Sequence, residues 1–282
     1  MNEVLMAGHR IEGSSGYSFD YHSHQEYEIY FFHAGSCRYL IHNQIYDLRP
    51  GDILLMDGMT LHRPNVLNQE EYVRSVIHFS PKWISGIINE LGSHYLLEIF
   101  QHLQHCLIRS NESKELMELE SLIQRMDVLG NHINNKDIKF ETELKVLLLQ
   151  VLIIVHRLSK NKLPEIPNKK DTKAEYTESI AVYIQENFEK KVTLDNISKD
   201  LNISKSYISH IFKEVTGFTV MEYLMECRLT QVKYSLEMEP KKPLKDIAFD
   251  CGFESVAHFS RYFRKKIGMT AKEYRRLRLK SV

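Results

Sequence analysis

The residues best equipped for chemistry form one spaced set early in the sequence. It reads Gly16-x5-His22-x-His24-x3-Glu28-x6-Gly35, and His62 follows after Pro50-Gly51-Asp52. Imidazoles and a carboxylate are ligand types that suit zinc, iron, nickel or manganese. The same groups serve as hydrogen-bond partners for the hydroxyls of a small polar molecule. Together with Tyr30, Arg38, Tyr39 and His78 from neighbouring stretches, His22, His24, Glu28 and His62 form a candidate small-molecule pocket, read as holding no metal, no cofactor and no catalytic residue. Twelve of the 14 histidines precede residue 159, and outside this set none has ligand-like spacing.

A second constellation lies near the other end. Lys205, Ser206, Ser209, His210 and Lys213 share one side of a helical pattern, as do Val256, Ala257, Ser260, Arg261, Arg264 and Lys265. On the opposite sides, Tyr207, Ile208, Ile211 and Phe212, and then Phe259, Tyr262 and Phe263, are expected to hold each helix to its support. Arg261 is the best single candidate for a base contact, because a guanidinium bonds a guanine edge bidentately. Lys213, Arg264, Lys265 and Lys266 suit phosphates. A solvated charged face is the bland alternative.

The elements that must position these residues differ between the two halves. From Tyr17 to Phe79, β-branched and aromatic residues are broken at short intervals by turn signals, predicting strands over Glu26–His33, Arg38–Ile41, Ile45–Leu48, Asp52–Met56 and Tyr72–Phe79. Strands so spaced suggest a small barrel or sandwich. After Pro81 the period changes, and Leu116, Leu119, Ile123 and Met126, then Leu144, Leu147, Leu148, Val151 and Val155, predict two amphipathic helices. The second is apolar nearly all round, so the barrel, another helix or a second subunit must cover it. Residues 159–173, SKNKLPEIPNKKDTK, read as a linker.

From Glu178 onward the pattern is helical and contains a repeat. Leu194, Ile197 and Ile203 recur fifty residues later as Leu244, Ile247 and Phe253. After one inserted residue, Ile208, Ser209, Phe212, Lys213, Gly217, Thr219 and Tyr223 match Phe259, Ser260, Phe263, Arg264, Gly268, Thr270 and Tyr274. Each unit has the caps and stops of two short helices: Thr193, Asn202, Ser204 and Gly217 in the first, and Pro243, Gly252, Ser255 and Gly268 in the second. Two helices joined by such a turn form the helix-turn-helix, whose second helix enters the DNA major groove. The helix Val220–Leu236 between them spans about 25 Å at 1.5 Å per residue, near one DNA turn.

Composition bounds these readings. With 282 residues, 43% of them hydrophobic, the chain has material for about two domains and is not disordered over most of its length. Its net charge of zero argues against a nucleic-acid binder until it is divided: residues 1–160 carry 14 basic and 20 acidic side chains, net −6, and the remainder is net +6. Cys37, Cys106, Cys227 and Cys251 include no CxxC pair, which fits a reducing cytoplasm without a disulfide framework. MNEVLMAGHRIEG is not expected to be a secretory signal, and Val146–Val155 is too short to span a bilayer.

The stretch Glu178–Arg276, above all CGFESVAHFSRYFRKKIGMTAKEYRR, resembles the DNA-binding domain of the AraC/XylS family of transcriptional regulators. By that resemblance Ser206, Ser209, His210, Ser260 and Arg261 sit where family members contact bases. Ala271 replaces the family's usual proline, and Val256 and Ala257 occupy positions that are often polar, leaving apolar contact with thymine methyls there. The histidine set resembles the motifs of the cupin barrel, which such regulators use as an effector pocket.

The fold class expected is therefore α+β in two domains. Residues 1–160 form a cupin-like antiparallel β-barrel with dimerisation helices, 161–175 a linker, and 176–282 an all-α domain with helix-turn-helix units at about 193–215 and 243–267. The expected function is a cytoplasmic, homodimeric activator that binds double-stranded DNA and a small effector, with a carbohydrate leading, and RNA polymerase is the partner the resemblance implies. The rival reading is a metal-dependent cupin enzyme, an isomerase or dioxygenase, fused to a DNA-binding domain.

Overall fold

The computed structural model describes residues 5–13, 26–41, 43–57, 61–66, 71–100, 107–110, 113–131, 138–160 and 171–280. His22, His24, Cys106 and most of the expected linker lie outside the described residues.

Eight strands come first: β1 Leu5–Glu12, β2 Tyr27–Ala34, β3 Cys37–Ile41, β4 Gln44–Asp47, β5 Ile53–Met56, β6 His62–Val66, β7 Val73–Phe79 and, after two helices, β8 Leu107–Ile108. They form two antiparallel sheets, one in the order β1-β7-β2-β5-β8 and the other in the order β4-β3-β6. The five strands expected are present within a residue or so. β1, β6 and β8 were not expected. β6 carries Pro64, which cannot donate to a ladder, and it lies at a sheet edge, where that loss is tolerated.

Alternation along the strands divides the apolar residues into layers. Tyr30 and Phe32 of β2, Leu54 and Met56 of β5 and Val76 of β7 face Cys37, Tyr39 and Ile41 of β3 across the lumen between the sheets. The alternate residues, Ile29, Phe31, Ile53, Leu55, Ile77 and Phe79, pack against a helical layer. That layer comprises α1 Pro81–Glu90, the short α2 Tyr95–Glu98, α3 Ser113–Asn131 and α4 Ile138–Lys160. Leu144, Leu147, Leu148, Val151, Leu152, Val155 and Leu158 of α4 are buried in this same cluster, so the chain itself covers most of that helix. Val146 and Ile153 of α4, with Met117 and Val128 of α3, remain exposed.

The loop before β5 is fixed by one buried carboxylate. Asp52, 1% exposed, accepts from Arg49 N at 2.8 Å and from Arg109 Nε and Nη2 at 2.8 and 2.6 Å.

The remaining helices are α5 Thr172–Asn187, α6 Leu194–Leu201, α7 Lys205–Thr216, α8 Val220–Met238, α9 Leu244–Asp250, α10 Val256–Ile267 and α11 Ala271–Lys280. α5 opens at Thr172, inside the range read as linker, because the Asp171 side chain accepts from Lys173 N and caps it. The helix-turn-helix pairs are α6–α7 and α9–α10. Asn202 and Gly252 make the two turns in the left-handed region, with φ of 54° and 80°. Ser204 and Ser255 cap the second helices, so the inserted residue that shifts the repeat is Glu254, in the turn of the second unit. The repeat extends to reciprocal caps. Thr219 and Glu222 open α8, and Thr270 and Glu273 open α11, which begins at Ala271 without a proline lock.

Removing one partner of a buried pair leaves the other charge uncompensated. Asp52→Ala is therefore expected to lower unfolding free energy by about 3 kcal/mol, read from the shift of the chemical-denaturation midpoint.

Candidate effector site and nucleic-acid interface

Three of the expected pocket residues converge. Glu28 and His78 are direct cross-strand partners on β2 and β7, while His62 enters from β6 in the opposite sheet. Oε2 of Glu28 lies 3.0 Å from His62 Nε2 and 3.1 Å from His78 Nε2. Glu28 and His62 are buried, so their contact spans the lumen from one sheet to the other.

Aromatic hydroxyls line the adjoining interior. Tyr30 Oη and Tyr72 Oη are 2.6 Å apart, the Tyr30 and Tyr39 rings meet edge-on at 5.1 Å, and Tyr39 lies nearly parallel to the His62 ring at 6.4 Å. Arg74 sits over Tyr72 at 4.8 Å and donates to the Gly13 carbonyl at 2.7 Å. Burial holds the Tyr30, Tyr39 and Tyr72 hydroxyls well above the usual phenol range and pushes the Cys37 thiol up to about 12, so all four stay neutral. Burial pulls the His78 imidazole down, but the neighbouring Glu28 carboxylate outweighs it and holds the group above its ordinary 6.5. The result is a buried acceptor flanked by imidazoles and neutral phenols, a set that can bond the hydroxyls of a polar ligand.

Arg38 does not join this set. It alternates with Cys37 and Tyr39 on β3, so it points outward, where Asp47 Oδ1 and Oδ2 accept from it at 2.6 and 3.1 Å. Among the described residues no group of three or more His, Cys, Asp or Glu is placed to hold a metal ion.

The outward face of β4-β3-β6 meets the helical domain. Leu40, Ile45 and Leu61 are buried in one cluster with Ile180, Ile184, Ile208, Ile211, Phe212 and Val215 of α5 and α7. Glu178 of α5 accepts from Ile45 N at 2.9 Å. Asn65 of β6 donates from Nδ2 to the carbonyls of Glu214 and Val215, at 3.1 and 2.9 Å, near the C-terminus of α7. Sequence reasoning missed Asn65 and Glu178, because single polar residues carry no periodic signal of a partner 150 or 133 positions away.

On α7, Lys205, Ser206, Ser209, His210 and Lys213 are exposed, and on α10 so are Val256, Ala257, Ser260, Arg261, Arg264 and Lys265. Each second helix thus presents one continuous face. Ile208, Ile211 and Phe212, and then Phe259 and Phe263, anchor the two helices. Tyr207 is not an anchor: it is 38% exposed and meets Tyr176 edge-on at 5.9 Å. Lys266 is drawn toward α8 by Glu226, 2.7 Å from its Nζ, whereas Lys213, Arg264 and Lys265 stay exposed on the outer faces.

The Glu28–His78 contact sets a sign for pH dependence. A folded-state pKa raised above 6.5 gives stability that is complete below 6.5 and lost as pH rises through the folded value. In Glu28→Gln burial is opposed only by the more weakly acting Glu26 charge, so His78 is expected to titrate at lower pH than in the wild type, a shift read from its imidazole proton resonances.

Residues 9–150 match the family model of the AraC-like ligand binding domain, and residues 197–277 match that of a helix-turn-helix domain. The Msm operon regulatory protein of Streptococcus mutans is 25% identical over 93% of this chain and 88% of its own length. The HTH-type transcriptional activators RhaR and RhaS of Mannheimia succiniciproducens are 21% and 23% identical, each over 91% of this chain and over 87% and 89% of their own lengths. A ligand-binding module whose lumen carries a buried polar set, joined in this order to two capped helix-turn-helix units, makes the chain a DNA-binding transcriptional regulator that belongs to the AraC family.

Proposed function

We propose that this regulator is a cytoplasmic activator, working as a homodimer with RNA polymerase, whose lumen binds a small polyhydroxylated metabolite of the carbohydrate class. The observation that carries the effector reading is the buried Glu28 carboxylate between His62 and His78, one residue from each side of the lumen seam. Adjacent ligand hydroxyls can donate to Glu28 and bond the imidazoles, while the Tyr30 and Tyr39 rings offer surface to apolar ring faces of a sugar. Activation is supported by the relatives named as activators. Pairing through α3 and α4 is supported by the exposed Met117, Val128, Val146 and Ile153. Among the described residues no helix is long and apolar enough to cross a membrane.

The signal has a short route. His62 and Asn65 lie three residues apart on β6, the first facing the lumen and the second bonded to α7. A ligand that displaces the Glu28–His62 contact shifts the sheet on which the first DNA-reading unit rests. The ligand controls DNA binding only through its different affinities for the two arrangements.

A thermal-shift screen of the full chain against sugars and polyols is expected to find ligands that raise the melting temperature, an effect that Glu28→Gln abolishes. No shift with any of them sinks the carbohydrate assignment. Asn65→Ala is expected to leave that shift intact while removing the effect of ligand on DNA affinity. Arg261→Ala should weaken binding to the specific site by about 1–3 kcal/mol, whereas Lys213→Ala should weaken all sequences alike and flatten the salt dependence.

A further inference from the structure

Helix α8 is buried at both ends for different reasons. Val220, Tyr223, Leu224 and Cys227 belong to the core of the first helix-turn-helix unit, and Leu229, Val232 and Leu236 belong to that of the second. At the junction of the two cores the sequence places charges. Glu226 is 4% exposed and Arg228 is 8% exposed.

Each charge ties a different unit. Arg228 donates from Nε to the Phe188 carbonyl and from Nη2 to the Lys190 carbonyl, both at 2.8 Å, gripping the chain between α5 and α6. Glu226 accepts from Tyr262 Oη at 3.1 Å and lies 2.7 Å from Lys266 Nζ, both on α10. Helix positions i and i+2, such as Glu226 and Arg228, are about 200° apart, so the two ties leave α8 on nearly opposite sides. The turn of the second unit closes onto the first tie. Gly252, with φ of 80°, leaves so little room that a Cβ there would meet the Phe188 carbonyl oxygen at 2.4 Å and Arg228 Nε at 2.8 Å.

Apolar residues at such a junction usually match or exceed the stability of buried charges. What a forked guanidinium adds is direction, because it bonds two carbonyls in one geometry only. We propose that Arg228 is a positioning residue for DNA recognition: by locking the α5–α6 segment against the Gly252 turn, it fixes the offset between α7 and α10 and so the spacing of the two DNA segments the chain accepts. Successive major grooves on one face of the duplex are about 34 Å apart, and one inserted base pair moves the second segment by about 3.4 Å and turns it by about 35°. A rigid joint penalises that insertion, whereas a loosened joint follows it.

The test uses the full chain and a duplex selected from a random pool by the wild-type protein, with the two contacted segments mapped by footprinting. One base pair is then inserted between them. Wild type is expected to lose at least about tenfold in affinity on insertion, and Arg228→Met less than about threefold, the selected duplex itself being bound more weakly. A residue that serves folding alone would weaken both duplexes by the same factor, so an Arg228→Met protein that keeps the wild-type ratio overturns the proposal. If that variant does not give a cooperative melt, Arg228→Lys decides. It keeps the charge but not the fork, and its ratio must fall between the two; a wild-type ratio overturns the proposal equally.

Discussion

The constraint on which the rest of the structure depends is that β3 and its sheet are covered on both sides. Tyr39 and Ile41 fill the lumen, while Leu40, between them in sequence, is buried with α5 and α7. Adjacent residues of one strand share a backbone and point to opposite faces. Close packing leaves neither face free to yield independently. A displacement at Tyr39 or His62 therefore reaches Leu40 and Asn65 without any intervening element. The five-stranded sheet has its own load, the helical layer of α1 to α4, so the seam bridged by Glu28 and His62 separates the part carrying α3 and α4 from the part carrying α7.

The helical domain was legible because its signals are local. Thr193, Ser204, Thr219, Ser255 and Thr270 each cap a backbone N–H within three residues, and Gly217, Gly252 and Gly268 stop or turn the chain where φ is positive. The barrel strands with alternating apolar residues between turn signals were legible for the same reason. β6 was not, because His62-Arg63-Pro64-Asn65 alternates no apolar residues, and the side-chain contacts of His62 and Asn65 lie across the lumen and in the helical domain.

The candidate site was legible in its residue types and less so in their directions. Glu28, His62 and His78 meet as their chemistry suggested, yet Arg38 points outward because strand parity decides its face. Lys266 and Tyr207 were misplaced by the same gap. A lysine beside a buried glutamate two helices away, and a tyrosine whose partner Tyr176 lies on α5, are set by tertiary packing that helical spacing alone does not encode. Tyr72, Arg74, Asn65 and Arg228 carry interactions across 38 to 150 positions, and a single sequence offers no sign of those pairings.

Charge now bears differently on function than the net zero implied. The acidic sensor and basic reader cancel, and part of the reader's basic complement is already paired within the chain, Lys205 with Asp195, Lys173 with Glu214 and Lys266 with Glu226. With so small a net excess, long-range attraction to the duplex contributes little to affinity. The deficit can be offset by engaging two recognition helices at once, since the second then binds at an effective concentration set by the geometry of the joint and not by diffusion. That gain exists only where the geometry permits simultaneous engagement, and it is largest when the joint is stiff at the right offset. A weakly charged reader thus needs a well-defined connection between its units more than a strongly basic one does, which gives a physical reason for directional charged ties, and not further apolar packing, at the middle of α8.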